Sequence, residues 1–253
     1  MDYAIEYACY TGKGKLRAQN QDNFWTCGVS LPERHDAYTD PKSVVSAEDL
    51  PMFFVFDGMG GEQKGETASY LCAQTVDAVL ADPAGVAARA ADADAFLRAL
   101  CMQMNADVTR FADAEGLETV GSTLACALFA PDRVTICNVG DSRVYRFRDG
   151  QLSLCSKDHA LFDPEAKRTG LLQYIGVREE EFTISPHLAH AAPQAGDVYL
   201  LCSDGLTDMV PEERIRALIS MCPTAFGAAA LLYYTALENG GADNVTVTVC
   251  RIL

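Results

Sequence analysis

Four aspartates stand where an apolar run meets a turn. Asp57 ends MFFVF and precedes Gly58; Asp141 ends TICNVG and precedes Ser142; Asp204 follows VYLLCS and precedes Gly205; Asp243 precedes Asn244 at the start of NVTVTVCRI. A turn alone explains any one of them, since Asp bonds its own backbone and Gly supplies a positive φ. Four together point to convergence on one edge of a core, where unpaired carboxylates repel unless protonated or bound to cations. An all-oxygen set, without paired Cys or His, suits Mg²⁺ or Mn²⁺ better than zinc. A glycine after Asp57 would also let a backbone carbonyl approach an ion. The stretch FDGMGGEQKGE is not a nucleotide cradle: Gly58 and Gly60 are not completed by a glycine at Gln63, and Gly65 is followed by Glu66 instead of Lys. Two divalent ions about 3.5 to 4 Å apart can bridge a water, lower its pKa and aim it at phosphorus, so phosphate-ester hydrolysis is the reaction such a site would serve.

Those aspartates need strands to carry them. Residues 3–10, 22–30 and 52–56 read as strands, with the polar, turn-rich 31–50 as a long connection. From Lys64 the period changes: Ala68, Leu71, Cys72, Thr75, Val76, Val79 and Leu80 share one helical face, and Leu97, Leu100, Cys101, Met104, Val108 and Phe111 form a second. GSTLACALFA, VTICNVGD, RVYRFRD and QLSLCS are short β runs, with Asp149-Gly150 as a hairpin turn between the last two. DVYLLCSD is another strand, Pro211 with Glu212 and Glu213 opens a helix, and the final strand alternates Val with Thr. Strands and helices come in runs and not in strict βαβ alternation. The pattern predicts an α+β domain of packed antiparallel sheets with segregated helices.

The 253 residues show no linker, charge block or repeat, which predicts a single domain over 1–253. The start, MDYAIEYACYTGKGK, lacks the apolar core of a secretory signal, and the apolar stretch around residues 225–237 is too short to span a bilayer, so a soluble protein is expected. Ten cysteines, the closest pair eleven apart, read as reduced core thiols of a cytoplasmic protein. A net charge of −15 argues against nucleic acid and anionic membranes as partners and favours divalent cations.

In order, RAQNQDNF from Arg17, FDGMGGEQKGETAS from Phe56, GSTLACALF from Gly121, NVGDSRVYRFRDGQL from Asn138, KDHA from Lys157, LLCSDGLTD from Leu200 and GADNVTVTV from Gly241 run the length of the chain. This series resembles the motifs of the metal-dependent serine/threonine protein phosphatases of the type 2C family, bacterial branch. Each motif is weak alone; seven in order are specific. The resemblance implies a β-sandwich flanked by helix pairs, four layers α/β/β/α, with two Mn²⁺ or Mg²⁺ at one end. It assigns Asp57, Asp204 and Asp243 as metal ligands, Gly58 as a carbonyl ligand, and Asp141 with Asp204 to a third, weaker ion. Asp22 would orient the metal-bridging water, and Arg17 would grip the substrate phosphate, a role suited to its planar fork. On its residues alone Arg17 reads as a solvated surface group. Direct attack of the bridging water on phosphoserine or phosphothreonine follows, with no phosphoenzyme and no cysteine nucleophile, Cys202 being core packing. The implied partners are phosphorylated proteins, substrates of a serine/threonine kinase, and the implied state is a monomer.

Several positions depart from the family pattern. Met59 stands where eukaryotic members often have a general-acid histidine, and Glu62 where bacterial members often have His. Leaving-group protonation then falls to a metal-bound water or to His159, whose bland reading is structural. Gln21 replaces a glutamate ligand of some relatives, and His187 and His190, between prolines, read as a loop instead of a zinc site. The flap region, 159–176, looks shortened to one short helix over Pro164–Thr169. A truncated flap predicts weak peptide preference, with the 31–50 insertion as a replacement wall. Two other readings remain: a catalytically weak regulatory relative that binds phosphoproteins, and a metal-dependent hydrolase of small phosphoesters.

Overall fold

The central strand is buried on both faces, and its sequence says why. In a computed structural model of the chain, which describes residues 3–60, 64–163, 168–178 and 182–253, MFFVF sends Phe53 and Val55 toward a second sheet and Met52, Phe54 and Phe56 toward helices. A strand covered on both faces has no polar alternation to display.

Among the described residues fifteen strands form: β1 (Ala4–Gly12), β2 (Asp22–Thr26), β3 (Val29–Ser30), β4 (Ala37–Ser46), β5 (Met52–Met59), β6 (Gly121–Ser122), β7 (Leu124–Phe129), β8 (Val134–Val139), β9 (Arg143–Arg148), β10 (Gln151–Leu154), β11 (Ala160–Asp163), β12 (Arg168–Leu171), β13 (His187–Ala191), β14 (Val198–Cys202) and β15 (Val245–Ile252). The helices are α1 (Gly65–Ala81), α2 (Pro83–Ala91), α3 (Ala93–Glu115), α4 (Asp204–Thr207), α5 (Glu212–Met221) and α6 (Ala225–Glu238). One antiparallel sheet runs β10-β9-β14-β15-β1-β4; the other runs β13-β8-β7-β5-β2-β3, with β6 paired to β5.

Three apolar layers glue four structural layers. Helices α1 and α3 pack on the second sheet through Val76, Leu97, Leu100 and Met104 against Trp25, Phe54 and Phe56. Helices α5 and α6 pack on the first through Ile215, Leu218 and Leu232 against Leu200, Val245 and Val247. Between the sheets lie Ile5, Phe53, Val55, Phe129, Tyr199 and Leu201. The predicted α+β, four-layer α/β/β/α fold is what forms. No helix of the described residues is long and apolar enough to cross a membrane.

Several local expectations need correction. The run 22–30 is two strands, broken by positive φ at Cys27 (49°) and Gly28 (91°). The supposed connection 31–50 contains β4, paired along β1 from Gly12↔Ala37 to Ala4↔Ser46. Its polarity concealed it because it is a sheet edge, where one side needs no partner and a proline such as Pro41 is tolerated. The segment His187–Ala191, read as a loop, is edge strand β13 on β8. In the flap β11 pairs antiparallel with β12, so Arg168 and Thr169, expected at the end of a helix, pair with Asp163 and Phe162 instead; residues 164–167 of the expected helix lie outside the described residues. Helix α2, capped by the Asp82 side chain on the Ala84 N–H and started by Pro83, was not foreseen.

Candidate metal centre

Asp57 and Asp22 are direct cross-strand partners in the β2–β5 ladder, so two carboxylates face each other where like charges ordinarily destabilise a sheet. Strand β5 runs past Asp57 to Met59, pairing Gly58 with Ser122, so Asp57 lies within the strand and not at its tip. Gly58 donates its N–H to Gln21 O at 3.1 Å, and a Cβ there would collide with the carbonyls of Gly65 and Gln21. Only glycine allows this three-way backbone approach.

The other aspartates arrive by turns. Gly140, at φ 95°, turns the chain after β8 to present Asp141. Thr123 Oγ1 couples that turn to Asp57, lying 2.6 Å from Ser142 Oγ and accepting the Asp57 N–H at 3.1 Å. Asp204 opens α4, and a Cβ on Gly205 would strike the Asn244 carbonyl; that contact presses α4 against the loop carrying Asp243. Asn244 ties the loop to the N-terminal segment, its Oδ1 accepting from Gln21 N at 2.8 Å and its Nδ2 donating to Lys13 O and Gln19 O at 3.1 and 2.9 Å.

The electrostatics are those of crowded, dry carboxylates. Asp22 is fully buried, and its Oδ2 accepts from Ser203 Oγ (2.7 Å) and Thr246 Oγ1 (2.6 Å). Burial raises its pKa to about 6 against the pull of those two hydroxyls. Burial, then the charges of Asp141, Asp243 and Asp22, lift Asp204 to about 7. Burial, then Asp22, Asp204, Asp141 and Asp243, hold Asp57 well above the usual carboxylate range, and Asp141 is raised chiefly by burial, with Asp158 and Asp208 adding to it. Asp22 Oδ1 and Asp204 Oδ1 are buried without a hydrogen-bond partner. Among the described residues no three His, Cys, Asp or Glu side chains are gathered into a ready metal cage. Orphaned buried oxygens and an all-oxygen donor set fit hard divalent cations.

Arg17, Asp22, Asp57, Gly58, Asp141, Asp204 and Asp243 therefore come together at one end of the sandwich. Arg17 Nη2 pairs with Asp243 Oδ2 at 2.5 Å and also feels Asp57 and Asp204, so it is not a free surface group. Gln21 points elsewhere: its Nε2 donates to Glu66 Oε2 at 3.1 Å, beside Gln19 on the same oxygen at 2.9 Å. Glu62 lies outside the described residues. His159 is buried and its Nδ1 accepts the Gly140 N–H at 3.3 Å. Burial, then His187 and Lys157, lower its pKa. His187 and His190, three apart on β13, point to opposite faces; His190 pairs with Asp94 at 2.9 Å. Burial pushes the Cys202 thiol up to about 12, which suits core packing. None of the ten cysteines is in a disulfide.

Sequence reasoning missed the supporting residues. Ser203, Thr246, Thr123 and Asn244 orient the acids, and Asp208, whose carboxyl is raised by burial and by Asp243 against Arg143, borders them. The i, i+4 spacing in SDGLTD is a signal that could have found Asp208. Nothing local marks the hydroxyls, which read as ordinary strand residues.

A family model described as protein phosphatase 2C matches residues 33–230. The chain belongs to the protein phosphatase 2C family. It is 31% identical over 98% of its length to the serine/threonine protein phosphatase PstP of Mycobacterium tuberculosis, of which it spans 45%. It is 30% identical over 94% of its length to the serine/threonine phosphatase stp of Listeria monocytogenes, covering 92% of that protein. The crystal structure of the PstP catalytic domain in complex with two manganese ions aligns over 99% of both chains, with a TM-score of 0.76 and 30% identity.

Proposed function

We propose that this chain is a metal-dependent protein serine/threonine phosphatase, using Mn²⁺ or Mg²⁺ to hydrolyse phosphoserine and phosphothreonine. The observation that carries this reading is the convergence of Asp22, Asp57, Asp141, Asp204 and Asp243, with two buried oxygens left unpartnered. Relatives named as serine/threonine phosphatases and a manganese-bound structural neighbour support it. Asp57, Asp204 and Asp243, with the Gly58 carbonyl, would hold two ions; Asp141 with Asp204 would hold a third, weaker one. Bound there, the ions supply Lewis acidity and a water acidic enough to attack phosphorus.

The protein's own groups do the rest. Arg17, released from Asp243, grips the substrate phosphate through its fork of N–H donors. Asp22, fixed through Oδ2 by Ser203 and Thr246, keeps Oδ1 free to accept a proton from the attacking water. Thr123 and Ser142 hold the Asp57 and Asp141 backbones in register. No side chain forms a phosphoenzyme, and Cys202 takes no part. The substrates are phosphorylated proteins made by a serine/threonine kinase, and residues 1–253 act as one phosphatase domain, monomeric and cytoplasmic.

The test is Mn²⁺-dependent phosphate release from a phosphothreonine peptide, run beside a nucleotide. Peptide turnover that vanishes with EDTA supports the reading. Preferential turnover of the nucleotide would make it a small-phosphoester hydrolase; peptide binding without turnover would make it a regulatory relative.

A further inference from the structure

A cavity of about 360 Å³ opens beside the flap, lined by Arg98, Lys157, His159, Gln173, Ser185 and His187, with Pro186 and Leu188 completing it. The chain carries 35 Asp and Glu against 20 Lys and Arg, and only four histidines. This one cavity gathers an arginine, a lysine and two of those histidines, and among the described residues no carboxylate lines it. Two acids on neighbouring elements are engaged elsewhere: Asp158 is held by Arg143 at 2.6 Å, and Asp94 by His190 at 2.9 Å.

The cations are positioned and unspent. Asn138, fully buried, clamps the Lys157 backbone both ways, accepting its N–H at 3.0 Å and donating to its carbonyl at 2.7 Å. Arg98 Nη1 donates to Pro186 O at 3.4 Å. Among the described residues neither Arg98 nor Lys157 has a carboxylate partner.

The cavity lies at the site end of the second sheet. His187 pairs with Asn138, three residues before Asp141, and His159 N donates to Gly140 O at 2.8 Å. Strand β13 is three strand spacings from β5, so at roughly 4.8 Å each the cavity stands about 14 Å from Asp57 and closer to Asp141, which follows the neighbouring strand β8. Extended peptide advances about 3.3 Å per residue, which makes that gap about four residues or fewer.

We propose that this basic cavity is a substrate subsite, taking a carboxylate or second phosphate three to four residues from the phosphoresidue being hydrolysed. It rests on the phosphatase reading above and deepens it. Peptide preference then comes from the base of the flap and not from the 31–50 segment, half of which β4 carries away along β1.

The test compares kcat/KM for phosphothreonine peptides carrying Glu or Gln three or four residues to either side. One charge-assisted hydrogen bond should favour the Glu peptide about tenfold. In R98Q/K157Q that preference should fall below about twofold while the Gln peptide keeps its rate. Absence of preference in the wild type, its survival in the double variant, or equal loss on both peptides would overturn the assignment. Should the double variant misfold, Lys157→Gln alone decides, because that exposed side chain makes no hydrogen bond among the described residues; it should cut the preference about threefold, and an unchanged preference overturns the proposal. Inorganic phosphate separates the sources: inhibition of Gln-peptide turnover that disappears in R98Q/K157Q would make the cavity a free-phosphate site and defeat the peptide assignment. Failure to turn over any phosphopeptide would strike the phosphatase reading alone. Fluorescence anisotropy of the same labelled peptides in EDTA then judges the cavity: tighter Glu-peptide binding lost in R98Q/K157Q supports it, and equal binding overturns it.

Discussion

Replacing Asp204 by Asn should abolish activity and yet stabilise the metal-free protein. Burial and four neighbouring acids raise this carboxyl from 3.8 to about 7. Because the folded pKa is the higher one, the native state binds the proton more tightly than the unfolded chain. The apo protein therefore carries the full penalty of the charge above pH 7 and sheds it as pH falls from about 7 toward 3.8. At about 1.4 kcal/mol per pH decade the ceiling is ~4 kcal/mol. The amide must also be desolvated, which costs about 1 to 3 kcal/mol at a buried position whose Oδ1 lacks a partner. The negative charge lost from the first turn of α4 costs up to about 0.5 kcal/mol more. A net gain of about 1 to 2 kcal/mol remains, or roughly 2 to 8 °C in Tm for a chain of this length. The assay is thermal unfolding of wild type and Asp204→Asn in EDTA at about pH 8 and about pH 5, followed by Mn²⁺ titration. The variant should melt higher near pH 8, lose that advantage near pH 5 and lose most of the Mn²⁺-induced rise. A variant that melts below wild type near pH 8, or gains equally at both pH values, would refute the electrostatic account.

Arg17→Ala should raise KM for phosphopeptides about tenfold with kcat changed little, since the guanidinium contacts phosphate in ground and transition states alike; steady-state kinetics that put the loss in kcat would contradict this. Thr246→Val, which removes one of two hydroxyls on Asp22 Oδ2, should cut kcat about tenfold at unchanged KM and shift the acid limb of the pH–rate profile upward; an unchanged profile counts against an orienting role. Gly58→Ala should cost about 1 to 3 kcal/mol in urea unfolding, because its Cβ meets the Gly65 and Gln21 carbonyls, and should weaken Mn²⁺ binding by calorimetry. Cys202→Ala should cost about 1 to 2 kcal/mol as a small core cavity while leaving kcat/KM intact; lost turnover would give the thiol a chemical role.

The sequence by itself determined the layered α+β class and the aspartates proposed as metal ligands. Helical faces such as Ala68–Val76 and double-sided apolar strands such as β5 are local patterns that burial enforces, and an Asp before Gly, Ser or Asn is local turn chemistry. Only the tertiary structure decided what holds those acids in place. The register that sets Asp22 against Asp57, the hydroxyls of Ser203 and Thr246 on Asp22, and Arg17 on Asp243 join residues 35, 181, 224 and 226 positions apart. Local propensity carries no information at such separations. The same limit hid the edge strands β4 and β13, whose polar sequences suit a half-solvated ladder as well as a loop. It also hid the basic cavity, because Arg98 and Lys157 lie on separate elements. Their charges are dispersed among many carboxylates along the chain, and they become a local excess only when α3, the segment after β10 and β13 pack side by side.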